Sequence, residues 1–305
     1  MINNNRIILH CDINNFFASV ECATKPELKN KPVAVSGNPA KRTGVILAKN
    51  EIAKSFGVST GEAIWQAKAK CKDLVCLPPH MELYQEISEQ IKVIYKQFTD
   101  KIEPFGIDEC WLDVTDSAHL FGGGEKIAEK LRSMIKRTFN MTASVGISFC
   151  KLFAKIGSDL KKPDAQTLIS RENFEELLYP MPACSIIGVG KSTQKTLAHL
   201  NINTLGELAK SDEKMLKSKL GIVGVMLKQK LLGNDFDEVT DISEEEEIKS
   251  IGNGTTTIKD IFTREEVEKT VYHLSEMIAT RLRQHSFCAA TVGVSIKNAD
   301  LECFA

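Results

Sequence analysis

Residues 104–113 read PFGIDECWLD and place two adjacent carboxylates, Asp108 and Glu109, among apolar neighbours. In a regular β-strand successive side chains point to opposite faces, so one of these two acids would face a hydrophobic core. A buried carboxylate is costly unless it is paired with a cation or bound to a metal ion. We therefore expect a bend near Gly106 that lets both carboxylates turn toward one point.

Strand and helix patterns alternate on both sides of this acidic pair over about the first 170 residues. Apolar runs bounded by turn residues predict strands, and apolar residues repeated every three to four positions predict helices. The predicted strands are 6–13, 31–36, 43–48, 74–77, 111–114 and 141–147. The predicted helices are 14–22, 51–55, 63–70, 81–98, 124–139 and 151–160. This order indicates an α/β or α+β layer around one apolar sheet.

The second half of the chain begins with a different pattern. Residues 171–237 read as short helices interrupted by two glycine turns, IGVGK at 187–191 and LGIVG at 220–224. An acidic stretch at 238–248, which contains Glu244–Glu247, is typical of a linker. These segments predict a helical unit that is followed by a connecting segment.

After the linker, strands are predicted at 249–258 and 291–296, with a helix at 263–285 between them. Thr263, with Glu266 three residues later, predicts a capping box at the start of that helix. A strand–helix–strand unit of about 55 residues is small for a hydrophobic core that stands alone.

The composition is that of a soluble globular protein with two or more domains. The chain has 305 residues, of which 43% are hydrophobic and 26% are charged. No apolar run reaches the roughly 18–20 residues that span a membrane, and the N-terminus lacks the pattern of a signal peptide. Nine scattered cysteines without a C-x-x-C pair predict reduced thiols and a cytoplasmic location, and they argue against a zinc site.

Charge is distributed unevenly along the chain. The net charge of −1 argues by itself against a nucleic-acid partner. However, residues 41–72, which include Lys41 and Arg42, hold seven basic residues against two acids, and residues 126–171 hold ten against three. Segregated charge of this kind forms either a local basic surface for nucleic acid or ordinary solvated helix faces, and both interpretations stay open.

A third acid ends the first predicted strand. Asp12 precedes Asp108 by 96 residues, and three carboxylates that meet at one end of a sheet repel one another unless cations neutralise them. Ligands that are all oxygen select hard ions such as Mg²⁺ or Mn²⁺, and two such ions can clamp a phosphoryl displacement. The alternative is that one acid pairs with a lysine or caps a turn while the other faces solvent, and the spacing alone does not exclude it.

Five motifs occur in a fixed order along the chain. They are CDINNFFASVE at 11–21, VILAKNEIAKSFGV at 45–58, PFGIDECWLD at 104–113, SVGISFCKLFAKIGSDLKKPDA at 144–165 and IIGVGKSTQKTL at 186–197. Together they resemble the Y-family, or translesion, DNA polymerases of the bacterial DNA polymerase IV and polymerase V catalytic-subunit type. The resemblance extends from about residue 6 to the end of the sequence.

The resemblance implies an α+β multidomain fold shaped as a right hand. Its parts would be a palm of sheet and helices, small α/β fingers, a helical thumb with helix–hairpin–helix elements and a partial α/β little finger. The implied boundaries are 1–15 and 80–170 for the palm, 16–79 for the fingers, 171–237 for the thumb, 238–248 for the linker and 249–305 for an incomplete little finger.

The same resemblance implies specific roles for residues near the acids. Asp12, Asp108 and Glu109, with the backbone carbonyl of Ile13, match the ligands of two Mg²⁺ ions, for which Mn²⁺ is a substitute. One ion would activate the primer 3′-hydroxyl for attack on the α-phosphate, and pyrophosphate would leave on the other. Phe17 matches the steric gate, an aromatic ring that leaves no room for a ribose 2′-hydroxyl.

Further contacts with the deoxynucleoside triphosphate are implied at Asn15, Phe16, Phe17, Lys54 and Lys162. Backbone amides at the helix start would donate to phosphate oxygens, the two lysines would supply charge, and Phe16 is in addition a candidate for the core.

The family often has Tyr and Arg where this chain has Glu51 and Lys54, which puts a carboxylate near the expected phosphates. From their position on the predicted strand, Val45 and Leu47 are expected to lie over the base pair that forms between the template and the incoming nucleotide.

In the thumb, the two glycine turns resemble helix–hairpin–helix elements that bind DNA phosphates without reading bases. The implied DNA contacts are Gly188, Gly190, Lys191, Gly221 and Gly224. The alternative is that each is only a tight turn between helices.

The implied function is template-directed DNA synthesis of low fidelity in translesion repair, by nucleotidyl transfer to a primer 3′-hydroxyl. The expected partners are primer–template DNA, a deoxynucleoside triphosphate and a sliding clamp reached through a C-terminal segment absent from this sequence. We expect a monomer that does not bind membranes. Two alternatives stay open: a catalytically silent DNA-binding scaffold of the same family, and another palm enzyme such as a nucleotide cyclase.

Overall fold

A computed structural model describes residues 6–38, 44–241 and 248–304 of the chain. The first part contains β1 (Ile8–Ile13), α1 (Phe16–Thr24), β2 (Val33–Ser36), β3 (Ile46–Lys49), α2 (Glu51–Ser55), α3 (Ile64–Lys70), β4 (Val75–Leu77) and α4 (Met81–Tyr95). It continues with β5 (Ile102–Pro104), β6 (Glu109–Asp113), α5 (Ala118–Phe121), α6 (Gly124–Phe139), β7 (Ala143–Ser148), α7 (Lys151–Leu160) and β8 (Gln166–Ile169). The rest forms α8 (Phe174–Leu178), α9 (Lys191–His199), α10 (Leu205–Lys210), α11 (Glu213–Leu231), α12 (Arg264–Gln284), β9 (Ile296–Lys297) and β10 (Cys303–Phe304).

The central sheet has five strands in the order β5–β6–β1–β7–β8, with β1 antiparallel to both of its neighbours. Every residue of β1 and β7 is buried because helices cover both faces of the sheet. Leu9, Cys11 and Ile13 pack into the core that α4 and α6 complete. The alternate residues of β1 therefore face α7, and this places His10 and Asp12 on the α7 side of the sheet.

A second sheet of three strands, in the order β3–β2–β4, belongs to the segment predicted as fingers. Strand β2 is fully buried, and α2 and α3 complete a small core through Ala53, Ile64 and Ala67. The side chain of Leu47 on strand β3 is exposed, so one face of this sheet reaches the surface there.

Helices α8 to α11 pack around a third core that includes Leu178, Leu205 and Leu231, together with Phe153 from α7. The predicted helical nature of residues 171–237 is thereby confirmed.

Helix α11 is kinked at Gly221, whose φ of +66° lies in the left-handed region that favours glycine. The kink divides the helix where the sequence has its second glycine turn.

Residues 235–240, called here the palm-docked segment, are fixed to the central sheet. The carboxylate of Asp235 accepts a hydrogen bond from the amide of Leu152 at 3.0 Å. The amide of Thr240 donates to the carboxylate of Glu103 at 3.1 Å. Val239 is buried in a cluster with Ile8, Trp111 and Ala154. The predicted linker therefore begins as an ordered part of the palm surface.

The last unit differs from the sequence prediction. The prediction of a strand at 249–258 is wrong, because these residues form neither helix nor strand. The strand predicted at 291–296 is reduced to β9, which pairs with β10. The helix prediction is confirmed: α12 is capped by Thr263, whose hydroxyl accepts from the amide of Glu266 at 3.3 Å. Because α12 buries none of its residues, there is no packed surface against which a longer strand would be stable.

Four further points concern the sequence predictions. The short elements β5, α5 and β8 lie in segments for which no element was predicted. Lys41, Arg42 and Glu244–Glu247, which were singled out for their charge, lie outside the described residues. Within residues 6–38, 44–241 and 248–304, no helix combines the length and the apolar character needed to cross a membrane. All nine cysteines are free thiols.

Candidate active site

The three acids approach one another through a strand pair and a bend. Asp12 lies opposite Glu109 in the β1–β6 ladder, and this register puts both residues on the α7 side of the sheet. Asp108 precedes β6 in a bend at residues 106–108, where Gly106 has a φ of +83°. The amide of Ile13 donates to the carbonyl of Asp108 at 3.1 Å, which ties the bend to the end of β1.

The charges of the acids act on one another. Burial, and then the neighbouring charges of Asp12 and Glu109, raise the pKa of Asp108 to about 6. The pKa of Asp12 is also raised, first by burial and then by the side chain of Glu109. A cation placed among these three carboxylates would therefore be strongly stabilised.

Two lysines supply positive charge to the acids. The Lys155 ammonium on α7 lies 2.8 Å from Oε1 of Glu109 and 3.3 Å from Oδ2 of Asp12. The Lys162 ammonium lies 2.5 Å from Asp12 and 2.8 Å from Asp159. Lys162 was predicted to contact a triphosphate, and here it pairs with one of the predicted metal ligands. Lys155 was not predicted, although a lysine within the apolar helix sequence LFAKIG was a usable signal.

The acids offer a donor set that fits a hard divalent cation, since all of their ligand atoms are oxygen. Oε2 of Glu109 is buried and has no hydrogen-bond partner in the described part of the chain. Among the residues that the structure describes, no three side chains of His, Cys, Asp or Glu converge closely enough to hold a metal ion as they stand. The lysine ammonium groups instead neutralise Asp12 and Glu109.

His10 lies beside the acids and was not predicted from the sequence. Its Nδ1 is 2.9 Å from the hydroxyl of Ser158, and its Nε2 is 3.4 Å from Oε2 of Glu109 without hydrogen-bond geometry. Burial, reinforced by the charge of Lys155, lowers the pKa of His10 to about 3. The imidazole is therefore neutral at physiological pH and does not act as a counter-cation for the acids.

Phe17 is held in place by a stack of aromatic and polar contacts. Its ring stacks on Tyr84 with 4.5 Å between centroids and an interplanar angle of 15°. The Tyr84 hydroxyl donates to Glu21 at 2.6 Å, and Lys25 and His80 contact the same carboxylate. Burial alone would raise the pKa of Glu21, but these hydrogen bonds outweigh it and lower the pKa. Glu21 thus remains charged and keeps Tyr84 against Phe17.

A cavity of about 250 Å³ is lined by Asp108, by residues at the start of α1 and by residues of the three-stranded sheet. Its lining residues are Asn15, Phe16, Phe17, Leu47, Ala48, Lys49, Thr60 and Asp108. Phe16 is otherwise buried in the main core, as expected from the sequence. Lys49 was not predicted, but it lies two residues after Leu47 on the same side of β3. Burial, and then the charge of Lys54, lowers the pKa of Lys49.

Lys54 does not line this cavity. Its ammonium is half exposed and lies 3.5 Å from the carboxylate of Glu51. The same carboxylate accepts a hydrogen bond from the side-chain amide of Asn15 at 2.8 Å. Glu51, whose role the sequence did not explain, therefore links the start of α1 to the helix that carries Lys54.

The predicted DNA-contacting residues of the thumb lie at the start of α9 and within α11. Gly190 is the N-cap of α9 and Lys191 is its first residue, and Gly188 precedes them with a φ of +94°. Gly221 forms the kink in α11. A Cβ atom at Gly224 would lie 2.8 Å from Cβ of Leu220, so the packing of α11 already accounts for this glycine.

Comparison with known proteins identifies the family. A family model described as the impB/mucB/samB family matches residues 11–159, and one for its C-terminal domain matches residues 248–304. The chain is 46% identical over 297 residues to DNA polymerase IV of Acetivibrio thermocellus, covering 97% of this chain and 74% of that protein. The chain belongs to the Y-family DNA polymerases. The polymerase is also 37% identical over 295 residues to DNA polymerase IV 1 of Bacillus subtilis, covering 97% and 71%.

Solved structures of Y-family polymerases share the fold. The crystal structure of DinB from Sulfolobus solfataricus matches with a TM-score of 0.69 at 28% identity, covering 77% of this chain and 69% of that chain. A Y-family chimera of Dbh and Dpo4 matches with a TM-score of 0.85 over 98% and 86% of the two chains. At 23% identity, this second match shows the fold alone.

The predicted α+β right-hand architecture of palm, fingers, thumb and little finger is confirmed by these matches, and so is the predicted family. The chain is a DNA-directed DNA polymerase. Dependence on divalent metal ions is general to this family. The domain boundaries and the roles of individual site residues stay predictions.

Proposed function

We propose that this polymerase adds deoxynucleotides to a primer 3′-hydroxyl with low fidelity and copies damaged template bases. The observation that carries the proposal is the cavity that Phe17, Leu47, Lys49 and Asp108 line together. The cavity brings together the aromatic ring of Phe17, the cation of Lys49 and the carboxyl group of Asp108. Relatives named DNA polymerase IV and a solved structure titled as the insertion ternary complex of Dbh DNA polymerase, at 27% identity, support this assignment.

In the proposed reaction Asp12, Asp108 and Glu109, with the backbone carbonyl of Ile13, hold two Mg²⁺ ions, and Mn²⁺ is a substitute. When bound, such ions activate the attacking hydroxyl and neutralise the charge on the departing pyrophosphate. Lys155 keeps the carboxylates of Asp12 and Glu109 oriented, because its ammonium contacts both.

Phe17 is proposed to select the sugar of the incoming nucleotide. Its ring lines the cavity and is fixed by the stack on Tyr84, so it cannot turn aside easily for a bulkier sugar. A ribose 2′-hydroxyl would then meet the ring, whereas a deoxyribose would not.

The triphosphate is proposed to lie between the start of α1 and the lysines near it. The backbone amides at Asn15, Phe16 and Phe17 lie at a helix start, where free N–H groups favour phosphate oxygens. Lys49 adds a cation inside the cavity, and Lys54 and Lys162 add cations at its margins. Lys162 would have to exchange Asp12 for phosphate to take this part.

The partner is proposed to be primer–template DNA. Gly188, Gly190, Lys191 and Gly221 lie at helix boundaries of the thumb, where backbone amides bind phosphates without reading bases. Gly224 would contribute only through the packing of α11. The proposal also includes a monomeric, cytoplasmic protein that binds a sliding clamp.

Primer extension with Mg²⁺ tests the role of the acids. Replacing Asp108 and Glu109 by alanine is expected to lower the extension rate by at least about 100-fold, because the carboxylates that would hold the metal ions beside the reacting phosphates are lost. Asp116→Ala, an exposed acid of the palm, is the matched control and should extend normally. Equal extension by the double variant and the wild type would remove the acids from the mechanism.

Sugar selection tests Phe17 separately. Phe17→Ala is expected to incorporate ribonucleotides that the wild type rejects, while incorporation of deoxynucleotides continues. Unchanged selection against ribonucleotides would remove the steric-gate assignment without affecting that of the acids.

A catalytically silent DNA-binding scaffold is the second candidate. One observation favours it: Lys155 and Lys162 already neutralise the acids that would hold metal ions. The same extension assay decides between the two functions. Binding of primed DNA by the wild type without any extension would establish the scaffold, and extension would exclude it.

A further inference from the structure

Helix α3 buries one side and presents a tryptophan on the other. Ile64, Ala67 and Cys71 pack into the core of the fingers segment. Trp65 points outward and is 72% exposed, whereas Trp111, the second tryptophan of the chain, is only 7% exposed. A large exposed aromatic ring is unusual on a surface that water covers, and such rings are enriched where a protein binds a partner.

Two lysines follow this ring in the chain. Lys68 follows Trp65 by three residues, so both lie on the same side of α3, and Lys72 lies in the turn after the helix. Neither lysine forms an ion pair with any residue that the structure describes, whereas Lys70 is held by Glu62 at 2.5 Å. Trp65, Lys68 and Lys72 are called here the tryptophan–lysine face.

This face adjoins the wall of the nucleotide cavity. Val45 forms an isolated β-bridge with Ala63, and the amide of Ile64 donates to the carbonyl of Gly44 at 2.9 Å. The start of α3 is therefore fixed to the strand on which Leu47 lines the cavity. Val45 and Leu47 are both exposed, so a continuous apolar surface extends from the cavity toward α3.

An exposed indole with two lysines on the same helix and the turn that follows it has the chemistry of a binding site for single-stranded nucleic acid. An unpaired base offers a π-face that stacks on the ring, and the phosphates on either side attract the lysines. Bases inside a duplex are already stacked and offer no such face. We propose that Trp65 stacks an unpaired base of the template strand ahead of the nucleotide cavity, while Lys68 and Lys72 contact the flanking phosphates. This inference rests on the proposed primer–template activity.

Overhang length tests the stacking contact. The 305-residue protein is bound to primed templates with either one or six unpaired template nucleotides, and the dissociation constants are measured by fluorescence anisotropy. Stacking of one base stabilises by about 1–3 kcal/mol, so the longer overhang should tighten binding by the wild type about 5- to 150-fold. Trp65→Ala should lose this gain and bind the one-nucleotide overhang like the wild type, and Trp65→Phe should retain part of it.

The emission of Trp65 gives an independent measurement. An oligothymidylate should quench the tryptophan emission of the wild type, and should leave that of Trp65→Phe, which comes from buried Trp111, unchanged. Equal gains from the longer overhang in the wild type and Trp65→Ala, or no quenching, would overturn the proposal and leave this face to a protein partner.

Salt dependence tests the two lysines. Replacing Lys68 and Lys72 by glutamine should reduce the slope of log affinity against log salt by roughly 1.4 on the longer overhang, at about 0.7 for each single-strand phosphate contact. Lys126→Gln, which removes an ion-paired lysine on α6, is the control and should leave the slope unchanged. An unchanged slope in the double variant would contradict the phosphate contacts. Failure of the proposed polymerase function would be recognised separately, because the wild type would then extend the primer on neither the one-nucleotide nor the six-nucleotide overhang.

Discussion

On the palm side of the nucleotide cavity, Asp12 and Glu109 stand on paired strands and share Lys155, whose side chain is only 11% exposed. On the fingers side, Glu51 and Lys54 lie on the short helix α2, half exposed and 3.5 Å apart. Water screens the second pair, so its charges are worth little, whereas the first set interacts at close range with little solvent between. The charged side chains on the palm side are therefore fixed in place, whereas those on the fingers side can be rearranged.

The largest effect is expected when one lysine is removed from each side and the stabilities of the two variants are compared. Burial alone would lower the pKa of Lys155, but contact with Glu109 and Asp12 raises it, so the lysine remains charged. Lys155→Met leaves Glu109 without its lysine partner and Asp12 with Lys162 alone, and we expect the free energy of unfolding in EDTA to fall by about 3 kcal/mol. Mg²⁺ should restore part of this loss. Urea denaturation with and without Mg²⁺ measures both effects.

Lys54→Met is the matched variant on the fingers side. It should change the free energy of unfolding by less than about 0.5 kcal/mol, since exposed pairs contribute little. Similar losses in the two variants would show that the two sides do not differ in the way described.

The second effect concerns pH. Because the folded-state pKa of Asp108, about 6, lies above the ordinary value of 3.8, ionised Asp108 destabilises the folded chain above pH 6. This penalty fades as the pH falls from 6 to 3.8, and it vanishes below 3.8, where Asp108 is protonated in both the folded and the unfolded chain. In EDTA at pH 8, Asp108→Asn should therefore raise the Tm by about 3–6 °C. The gain should shrink steadily toward pH 5.

Thermal melts between pH 5 and pH 8 measure this gain. Asp116→Asn, an exposed acid, should show no such dependence on pH. A gain for Asp108→Asn that is constant over the whole range would mean that burial of its charge is not the cause.

A smaller effect is expected at Tyr84, which positions Phe17 without lining the cavity. Tyr84→Leu removes the ring that stacks on Phe17, and we expect discrimination against ribonucleotides to fall about tenfold, which corresponds to about 1.4 kcal/mol. Tyr84→Phe keeps the stack and should retain most of the discrimination. The readout is the ratio of kcat/KM for deoxynucleotides and ribonucleotides. Full discrimination by Tyr84→Leu would show that α1 alone positions Phe17.

The smallest expected effects are opposite shifts in KM on the fingers side. Glu51→Gln removes a carboxylate that pairs with Lys54 and repels phosphate, so KM for the deoxynucleotide should fall about two- to fivefold. Lys49→Gln removes a cation from the cavity, so KM should rise by a similar factor. Steady-state kinetics on one primed template measures both variants. Shifts in the same direction would contradict the assigned charges.

Much of the palm could be predicted because its signals are local. The apolar run before Asp12 predicts β1, and the two adjacent acids require the bend that the structure shows at Gly106. Lys155 and Lys49 depend instead on how α7 and β3 pack against the acids. A lysine gives no local sign of the side chain it will meet across the fold, and spacing alone could not separate these two from solvated lysines.

Predictions failed where an element needs a partner that the pattern does not supply. The apolar residues of 249–258 resemble a strand, but a strand is stable only in a sheet with a packed face. Edge strands β5 and β8 were missed for the opposite reason, because each is short and is stabilised by a neighbouring strand. Local sequence therefore predicts the centre of the sheet better than its margins.

The palm-docked segment anchors the chain to the palm before the C-terminal residues begin. Val239 packs against Trp111, and Thr240 is bonded to Glu103, so the chain leaves the palm beside β5 and β6. Because residues 248–304 follow this segment in the chain, tension that passes along the backbone from them reaches these strands. Strand β6 begins with Glu109, so a pull on the C-terminal part of the chain acts on the scaffold of the acids themselves.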